Sequence, residues 1–482
     1  MQELAFLPAH EMAERVRLRE VSAVELLEAH LQQVARNNVR LNALVTLDEA
    51  RARTRAREAD TALARGEVWG PLHGVPLTIK DAFETTGLRT TSGFEHLADY
   101  VPQRDATVVA RLKAAGAVVV GKTNLPRLAL DTQTHNAVFG RTNNPWDVER
   151  TPGGSTGGGA VAVAAGMSPL EVGSDIGGSI RIPSHYCGVF GLKPTDGRIP
   201  LSGHIPGLPG TPRGVRHQGV AGPLARTVAD LRLALRLLSG PDGLDTEMPP
   251  VPFQEVPRRE LRSYRFVWTD DFGGMPVSAE TRAALAGLAR TLEGAGCVVE
   301  RRTPEIDFDA VWTAWGQLLG AEVGAEIPLR ARVMTALHFR SMRGDSAINR
   351  GIIRGLWGRM TDYVQALSVR DRMMAKVEDF LAGWDAWLCP VTMGAAFTHR
   401  PSGEWVEVDA RRVPYMEGTC GFSNFFNLTG HPVVAMPLPP ASGRTLPLGV
   451  QVVGRRWKDE ALLSVAEALS EVAGPFRRPP GV

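Results

Sequence analysis

Three short segments of the chain carry residues that could hydrolyse a bond without a histidine. Lys80 lies in GVPLTIKD, Ser155 in PGGSTGGG and Ser179 in GSDIGGSIRIPS. The glycines around both serines allow the backbone to approach a ligand closely. A lysine in an apolar run can lose its proton through burial, and the neutral amine can then act as a base. Together these segments favour amide-bond chemistry.

Lys80 ends an apolar and β-branched run at residues 75–79, which is typical of a short buried strand. Desolvation lowers the pKa of a lysine from its ordinary value of about 10.4 and brings it closer to neutral pH. The simpler interpretation is a surface lysine just beyond a strand. This segment alone does not decide between the two.

The glycines around Ser155 run into an alanine- and valine-rich stretch at residues 160–165, which we predict to be helical. A glycine-rich loop that opens a helix presents free N–H groups to a polarised or anionic atom. The loop is not a Walker A motif, because no lysine follows the glycines in that frame. Residues 153–157 match G-x-S-x-G, but a nucleophile elbow needs a preceding strand, which residues 143–152 do not resemble. A plain flexible loop is the remaining alternative.

Ser179 follows two glycines, so consecutive N–H groups could curl toward the same point as the serine hydroxyl. An oxyanion hole requires such donors, fixed in place before charge develops. The alternative is an ordinary glycine turn between two apolar segments.

Further blocks of sequence, in the same order along most of the chain, resemble the amidase signature family of serine hydrolases. They lie at residues 117–124, 139–140, 143–146, 187–195, 222–227, 426–432 and 449–454. The resemblance implies an α/β fold, a single large domain over 1–482 with a central mixed β-sheet covered by helices on both faces. Its expected parts are N-terminal helices at 1–65, a catalytic core at 72–238 and a helical substrate-pocket region at 309–387.

The resemblance also assigns roles to the three residues. It implies that Lys80 is the catalytic lysine, that Ser155 is a bridging serine on a cis peptide bond, and that Ser179 is the nucleophile. Neutral Lys80 would take a proton from Ser155, which in turn would take one from Ser179. The implied oxyanion hole consists of the N–H groups of Ile176, Gly177, Gly178 and Ser179.

Three positions are expected to bind substrate or support the site. Gly154 belongs to the serine loop. Thr156 stands where many members of the family have a second serine, and its hydroxyl preserves a structural role. Gln133 occupies a position where relatives often carry a small residue that faces the substrate carbonyl, so its amide is a candidate substrate contact.

The resulting hypothesis is an amidase that cleaves the C–N bond of a small or linear carboxamide through an acyl-enzyme, without cofactor or metal. Two alternatives stay open, namely the glutaminase (A-type) subunit of a tRNA-dependent amidotransferase and an esterase on the same fold. The segment 198–206 looks more like stand-alone amidases than like that glutaminase. A scaffold without activity is disfavoured, because scaffolding needs none of the three polar groups.

Composition adds limits to this hypothesis. The net charge of +2, from 54 basic and 52 acidic residues, gives no electrostatic case for binding nucleic acid or an anionic membrane. The apolar runs are too short for a transmembrane helix, and the N-terminus lacks a signal-peptide pattern, so we expect a cytoplasmic enzyme. The four cysteines form no C-x-x-C pair, and His185 is predicted to be a packing residue. The expected partner is a small amide, and a homodimer is left open.

Overall fold

The strand predicted before Lys80 is the third from one edge of an eleven-stranded sheet in the computed structural model of the protein. The structure describes residues 2–205, 207–209, 215–439 and 445–482, so Pro206 of the segment 198–206 lies outside the described residues. The strands in this part of the chain are β1 (Leu44–Leu47), β2 (Pro76–Lys80), β3 (Val118–Thr123), β4 (His135–Asn136), β5 (Gly140–Arg141), β6 (Leu170–Asp175), β7 (Phe190–Lys193), β8 (Val220–Ala225), β9 (Arg265–Trp268), β10 (Val298–Arg301), β11 (Ala386–Pro390), β12 (Val406–Val408), β13 (Arg411–Val413), β14 (Val433–Pro437) and β15 (Gly449–Val453).

The main sheet is mixed, with the order β1-β3-β2-β6-β8-β7-β14-β15-β11-β9-β10. Strand β2 pairs in parallel with both β3 and β6. Strands β9, β10 and β11 are also parallel, and the other neighbours are antiparallel. Because β2 and β6 run side by side, Lys80 at the end of β2 comes close to the end of β6, where the Ser179 segment begins.

Helices surround this sheet. They are α1 (Gln2–Ala5), α2 (Ala9–Arg17), α3 (Ala23–Leu41), α4 (Glu49–Ala64), α5 (Thr107–Ala114), α6 (Gly157–Ala164), α7 (Arg181–Cys187), α8 (Val228–Leu238), α9 (Ala279–Gly294), α10 (Phe308–Glu326), α11 (Leu329–Ser341), α12 (Ala347–Leu356), α13 (Met360–Phe380), α14 (Tyr415–Cys420), α15 (Asn424–Leu428) and α16 (Asp459–Ala473). None of the helices in the described ranges is long and apolar enough to cross a bilayer.

Alternating side chains on the strands build two separate cores. Val434 and Val452 pack in one cluster together with residues of α2, α5, α8, α9 and α16. Their neighbours Val433 and Val453 pack in a second cluster with residues of α10, α12, α13 and α15. Both faces of the sheet are therefore apolar and covered by helices, as the period of two along a strand requires. This confirms the predicted fold class.

Local signals placed several elements correctly. Ser22, followed three residues later by Glu25, predicts a capping box that opens a helix through about Val34. Glu25 N–H donates to Ser22 Oγ over 3.1 Å, and Ser22 N–H donates to Glu25 Oε2 over 2.8 Å, so the capping box forms. The helix extends to Leu41, beyond the end predicted near Val34, and Asn42 terminates it in the left-handed conformation at φ 50°.

Candidate active site

Lys80 is fully buried at the end of β2, among three hydroxyl groups. Its Nζ lies 2.7 Å from Ser155 Oγ, 3.0 Å from Thr156 Oγ1 and 3.0 Å from Ser174 Oγ. The structure thus brings together two of the residues predicted for catalysis, and it adds Ser174, which the sequence did not single out.

Burial sets the charge of this lysine. Desolvation lowers the pKa of Lys80 to about 7, and the carboxylates of Asp175 and Glu171 oppose that shift without cancelling it. The pKa of Glu171 is itself raised to about 7 by burial, although Thr78 and Thr123 both donate hydrogen bonds to its carboxylate. Near neutral pH, Lys80 is therefore poised between the charged and neutral forms.

The loop that carries Ser155 is held from two sides. The peptide bond between Gly154 and Ser155 is cis, as the resemblance implies. A side chain at position 154 would meet the carbonyl oxygens of Asp131 and Gln133, each 2.8 Å from an ideal Cβ, so this close approach requires glycine. On the other side, Thr156 N–H donates to the carbonyl of Ser179 over 3.1 Å, which joins the two serine loops directly.

Asp175 organises the turn between β6 and Ser179. Its buried carboxylate accepts the N–H of Gly178 at 2.8 Å and of Ile180 at 3.1 Å. It also pairs with Arg181 (2.9 Å) and accepts from Asn427 Nδ2 (2.9 Å). These contacts hold the pKa of Asp175 far below its usual range despite complete burial.

Each peptide group of this turn is anchored through its carbonyl oxygen by a different part of the chain. In a planar trans peptide group, the N–H of the next residue points opposite to the carbonyl. Anchoring the carbonyls of residues 175–178 therefore fixes the directions of the N–H groups of residues 176–179. The anchors are Asn427 Nδ2 on Asp175 O (3.1 Å), Trp315 Nε1 on Ile176 O (3.0 Å), Ser423 Oγ on Gly177 O (2.8 Å) and Ile182 N on Gly178 O (2.7 Å).

Gly178 differs from the other predicted oxyanion donors. Its N–H already has a protein acceptor in Asp175 Oδ1, whereas the family resemblance assigned it to the oxyanion hole. Its φ of 122° lies in the range that favours glycine, and an added Cβ would overlap the side chains of Ser423 and Ile182. The structure thus shows a conformational reason for glycine at this position.

Gln133 is buried, and its side chain is engaged within the protein. Its Nε2 donates to the carbonyl of Arg400 at 2.9 Å and to the hydroxyl of Tyr415 at 3.1 Å. That hydroxyl donates to Asp131 at 2.5 Å. Both Nε2 hydrogens are therefore used within the protein, and contact between the Gln133 amide and a substrate stays a prediction.

The helical region at 309–387 contacts the site through α10. Besides its hydrogen bond to Ile176, the Trp315 ring lies 3.0 Å from the position that a Cβ on Gly177 would take. Whether the whole region shapes the substrate pocket stays a prediction.

His185 packs away from the hydroxyl cluster, as predicted. Its Nε2 lies 3.0 Å from the carbonyl of Gly394, and its Nδ1 accepts the N–H of Gly449 at 2.7 Å. All four cysteines are buried, and none of them is in a disulfide.

Sequence reasoning missed the residues that bridge distant parts of the site. Ser174 directly precedes Asp175 at the start of the Ser179 segment, so its place at the end of β6 was the available signal. His204 Nε2 lies 2.8 Å from Ser174 Oγ, a contact that no motif indicated. Asn427 and Ser423 reach the turn from about 250 positions away, and only the fold brings them there.

Comparisons with known proteins identify the family of the chain. A profile of the amidase family matches residues 25–463. The chain therefore belongs to the amidase signature family of C–N hydrolases, as the resemblance indicated.

Individual relatives span the whole chain. The chain is 32% identical to the A-type subunit of the glutamyl-tRNA(Gln) amidotransferase from Moorella thermoacetica, with 99% of each chain covered. Among solved structures, it matches a chain of one described as a vestigial protein complex that reveals the evolutionary origins of an s-triazine catabolic enzyme. The identity is 30% and the TM-score is 0.84, and the match covers 98% of this chain and 99% of that chain. It also matches a structure described as an amidase, with 30% identity, a TM-score of 0.81 and coverage of 97% and 100%.

Proposed function

We propose that the protein hydrolyses a carboxamide through an acyl-enzyme on Ser179, with Lys80 as the base and Ser155 as the proton carrier. The observation that carries this proposal is the 2.7 Å contact between Lys80 Nζ and Ser155 Oγ in a fully buried site. Burial brings the pKa of Lys80 to about 7, so a substantial fraction of the amine is neutral at physiological pH.

In the first step, Ser179 Oγ attacks the carbonyl carbon while Ser155 takes its proton and gives its own to Lys80 Nζ. The N–H groups of Ile176, Gly177 and Ser179 stabilise the oxyanion, because their peptide planes are fixed before charge develops. Gly178 contributes by holding the turn onto Asp175. The proton then returns through Ser155 to the leaving amine, and water releases the acid.

Two substrate classes fit this chemistry. The relative named as part of a glutamyl-tRNA(Gln) amidotransferase supports glutamine as the amide, cleaved by a chain that works inside a multi-subunit assembly. This class has the stronger support among named relatives. A stand-alone amidase for small carboxamides is the second candidate, supported by the structure described as an amidase and by the resemblance of the sequence at 198–206 to stand-alone amidases. A related esterase activity would use the same acyl-enzyme.

Ammonia release separates these candidates. The purified chain is incubated with glutamine and with a panel of short carboxamides, alone and with amidotransferase partner subunits. Release from glutamine only with partners supports the amidotransferase role, whereas release from carboxamides by the chain alone supports the stand-alone amidase. Ser179→Ala should abolish release in either case. Ser184→Ala is the matched control, because it removes a nearby buried hydroxyl that donates only to the backbone of Ile180.

A further inference from the structure

His204 connects the buried lysine to a cavity beside the turn that carries the proposed oxyanion donors. Its Nε2 lies 2.8 Å from Ser174 Oγ, and the same Oγ lies 3.0 Å from Lys80 Nζ. The imidazole packs edge-on against Phe83, with 4.8 Å between ring centroids. His204 also lines a cavity of about 280 Å³, together with Ser174 and Ile176. A partly exposed titratable ring is thus one hydroxyl away from the proposed base.

The three hydroxyls around Lys80 compete for its two hydrogens and its lone pair. A neutral amine has two hydrogens and one lone pair, but Nζ contacts three hydroxyl oxygens. Ser155 must direct its hydrogen at the lone pair if Lys80 is to act as its base. Both hydrogens of the amine then go to Thr156 and Ser174. Thr156 is suited to accept, because its own hydroxyl lies 3.3 Å from the carbonyl of Ser174.

In that arrangement the hydroxyl hydrogen of Ser174 has to go to His204. Nε2 must then be the unprotonated ring nitrogen, with the hydrogen on Nδ1. When the imidazole is protonated, Nε2–H donates to Ser174 instead, and the Ser174 hydrogen turns toward the lone pair of Lys80. Ser174 then competes with Ser155 for the base.

We propose that neutral His204 is a positioning residue, which accepts the proton of Ser174 and so keeps the lone pair of Lys80 directed at Ser155. This inference rests on the proposed function, since it concerns the same base. It predicts that activation of Ser179 requires two deprotonated groups, Lys80 and His204.

Other charged groups surround His204 and must stay unchanged in a test. The Ser174 side contains Lys80, Glu171 and Asp175. Glu84, Arg104, Arg216, Asp245 and Glu247 line the same cavity, and Asp242 approaches through a side-chain bond to Ser202. Within this set, Arg104 pairs with Glu84 at 3.3 Å and Arg216 with Glu247 at 3.1 Å. The variant His204→Gln leaves all these groups in place and offers Ser174 a carbonyl acceptor that does not titrate.

The test measures the second-order rate constant for modification of Ser179 by a fluorophosphonate, in which an Oγ–P bond forms and fluoride leaves. No substrate has to be known. In the wild type, the logarithm of this constant should fall on the acid side with a slope between about one and two per pH unit, because protonation of Lys80 removes the base and protonation of His204 turns Ser174 toward its lone pair. In His204→Gln the slope should be about one, and the constant above neutral pH should stay within about threefold.

A second histidine provides the control. His96 is exposed and packs edge-on against Phe94 at 4.9 Å, so His96→Gln removes an imidazole from an aromatic contact without changing the link from Ser174 to Lys80. Its profile should match that of the wild type. Ser174→Ala removes the link while keeping His204, and it should also give a slope of about one. This second variant keeps the inference testable if His204→Gln does not fold, which thermal unfolding will show.

The outcomes separate the two claims. If Ser179 is labelled in the wild type but His204→Gln or Ser174→Ala keeps the wild-type slope, the inference about His204 is wrong and the proposed function is unaffected. A wild type that forms no adduct on Ser179 overturns the proposed function, and the inference falls with it.

Discussion

Replacing Lys80 by methionine should make the protein inactive, yet more stable at neutral pH. Methionine fills a similar volume without a charge. In the wild type, the buried ammonium carries a desolvation penalty, since the pKa of Lys80 is lowered to about 7. In an unfolded chain a lysine has a pKa of about 10.4, and each pKa unit corresponds to about 1.4 kcal/mol, so the penalty is about 4 to 5 kcal/mol at low pH.

The loss of the hydrogen bonds of Lys80 offsets part of the stability that the variant gains by removing this penalty. Three hydroxyls lose a partner in the variant, at about 1 kcal/mol each. At pH 7 and below, Lys80→Met should therefore be more stable by about 1 to 2 kcal/mol. Between pH 7 and 9 the native amine becomes neutral while the unfolded chain still binds the proton, so the wild type gains about 2 kcal/mol relative to the variant. The difference changes sign in this interval.

Urea unfolding at several pH values from 6 to 9 measures the two free energies of unfolding. Lys113→Met is the control, because Lys113 lies near the surface beside Asp105, at 2.8 Å. The free energy of unfolding of Lys80→Met, relative to the wild type, should change with pH, whereas that of Lys113→Met should not. If neither difference changes with pH, Lys80 is not a buried and easily deprotonated lysine.

Two further predictions concern the turn before Ser179. Asp175→Asn leaves the guanidinium of Arg181 buried beside a neutral amide, so the free energy of unfolding measured in urea should fall by about 3 to 5 kcal/mol. Labelling of Ser179 should also slow. Unchanged stability would refute the organising role of this carboxylate. Trp315→Phe removes the anchor on Ile176 and should slow labelling about tenfold or more. Trp312→Phe, which loses an equivalent 3.0 Å indole bond on the same helix, should not, and equal effects of both variants would contradict the anchoring argument.

Local sequence signals predicted the elements of this site better than their connections. The β-branched run before Lys80 and the capping box at Ser22 depend on neighbouring residues, and both formed as predicted. The helix after Ser155 was also expected, although it begins at Gly157, inside the glycine run. Its residues are all buried, so tertiary packing outweighs the low helix propensity of glycine there.

The partners of these elements could not be predicted in the same way. Ser174 reaches Lys80 only because β2 and β6 are parallel neighbours, a pairing that no local pattern specifies. The anchors from Trp315 and Ser423 join segments that lie more than 130 positions apart along the chain. The hydrogen bonds of Gln133 to Arg400 and Tyr415 likewise join distant segments that no local pattern connects.

The proposed function depends on the activation of Ser179 by Lys80 through Ser155. Its most direct test is to treat the protein with a fluorophosphonate at pH 8 and locate the adduct by peptide mass spectrometry, with Lys80→Ala in parallel. The wild type should carry a single adduct on Ser179, and this adduct should be absent from Lys80→Ala. An adduct on Ser155, or equal labelling of Ser179 in both proteins, would contradict it.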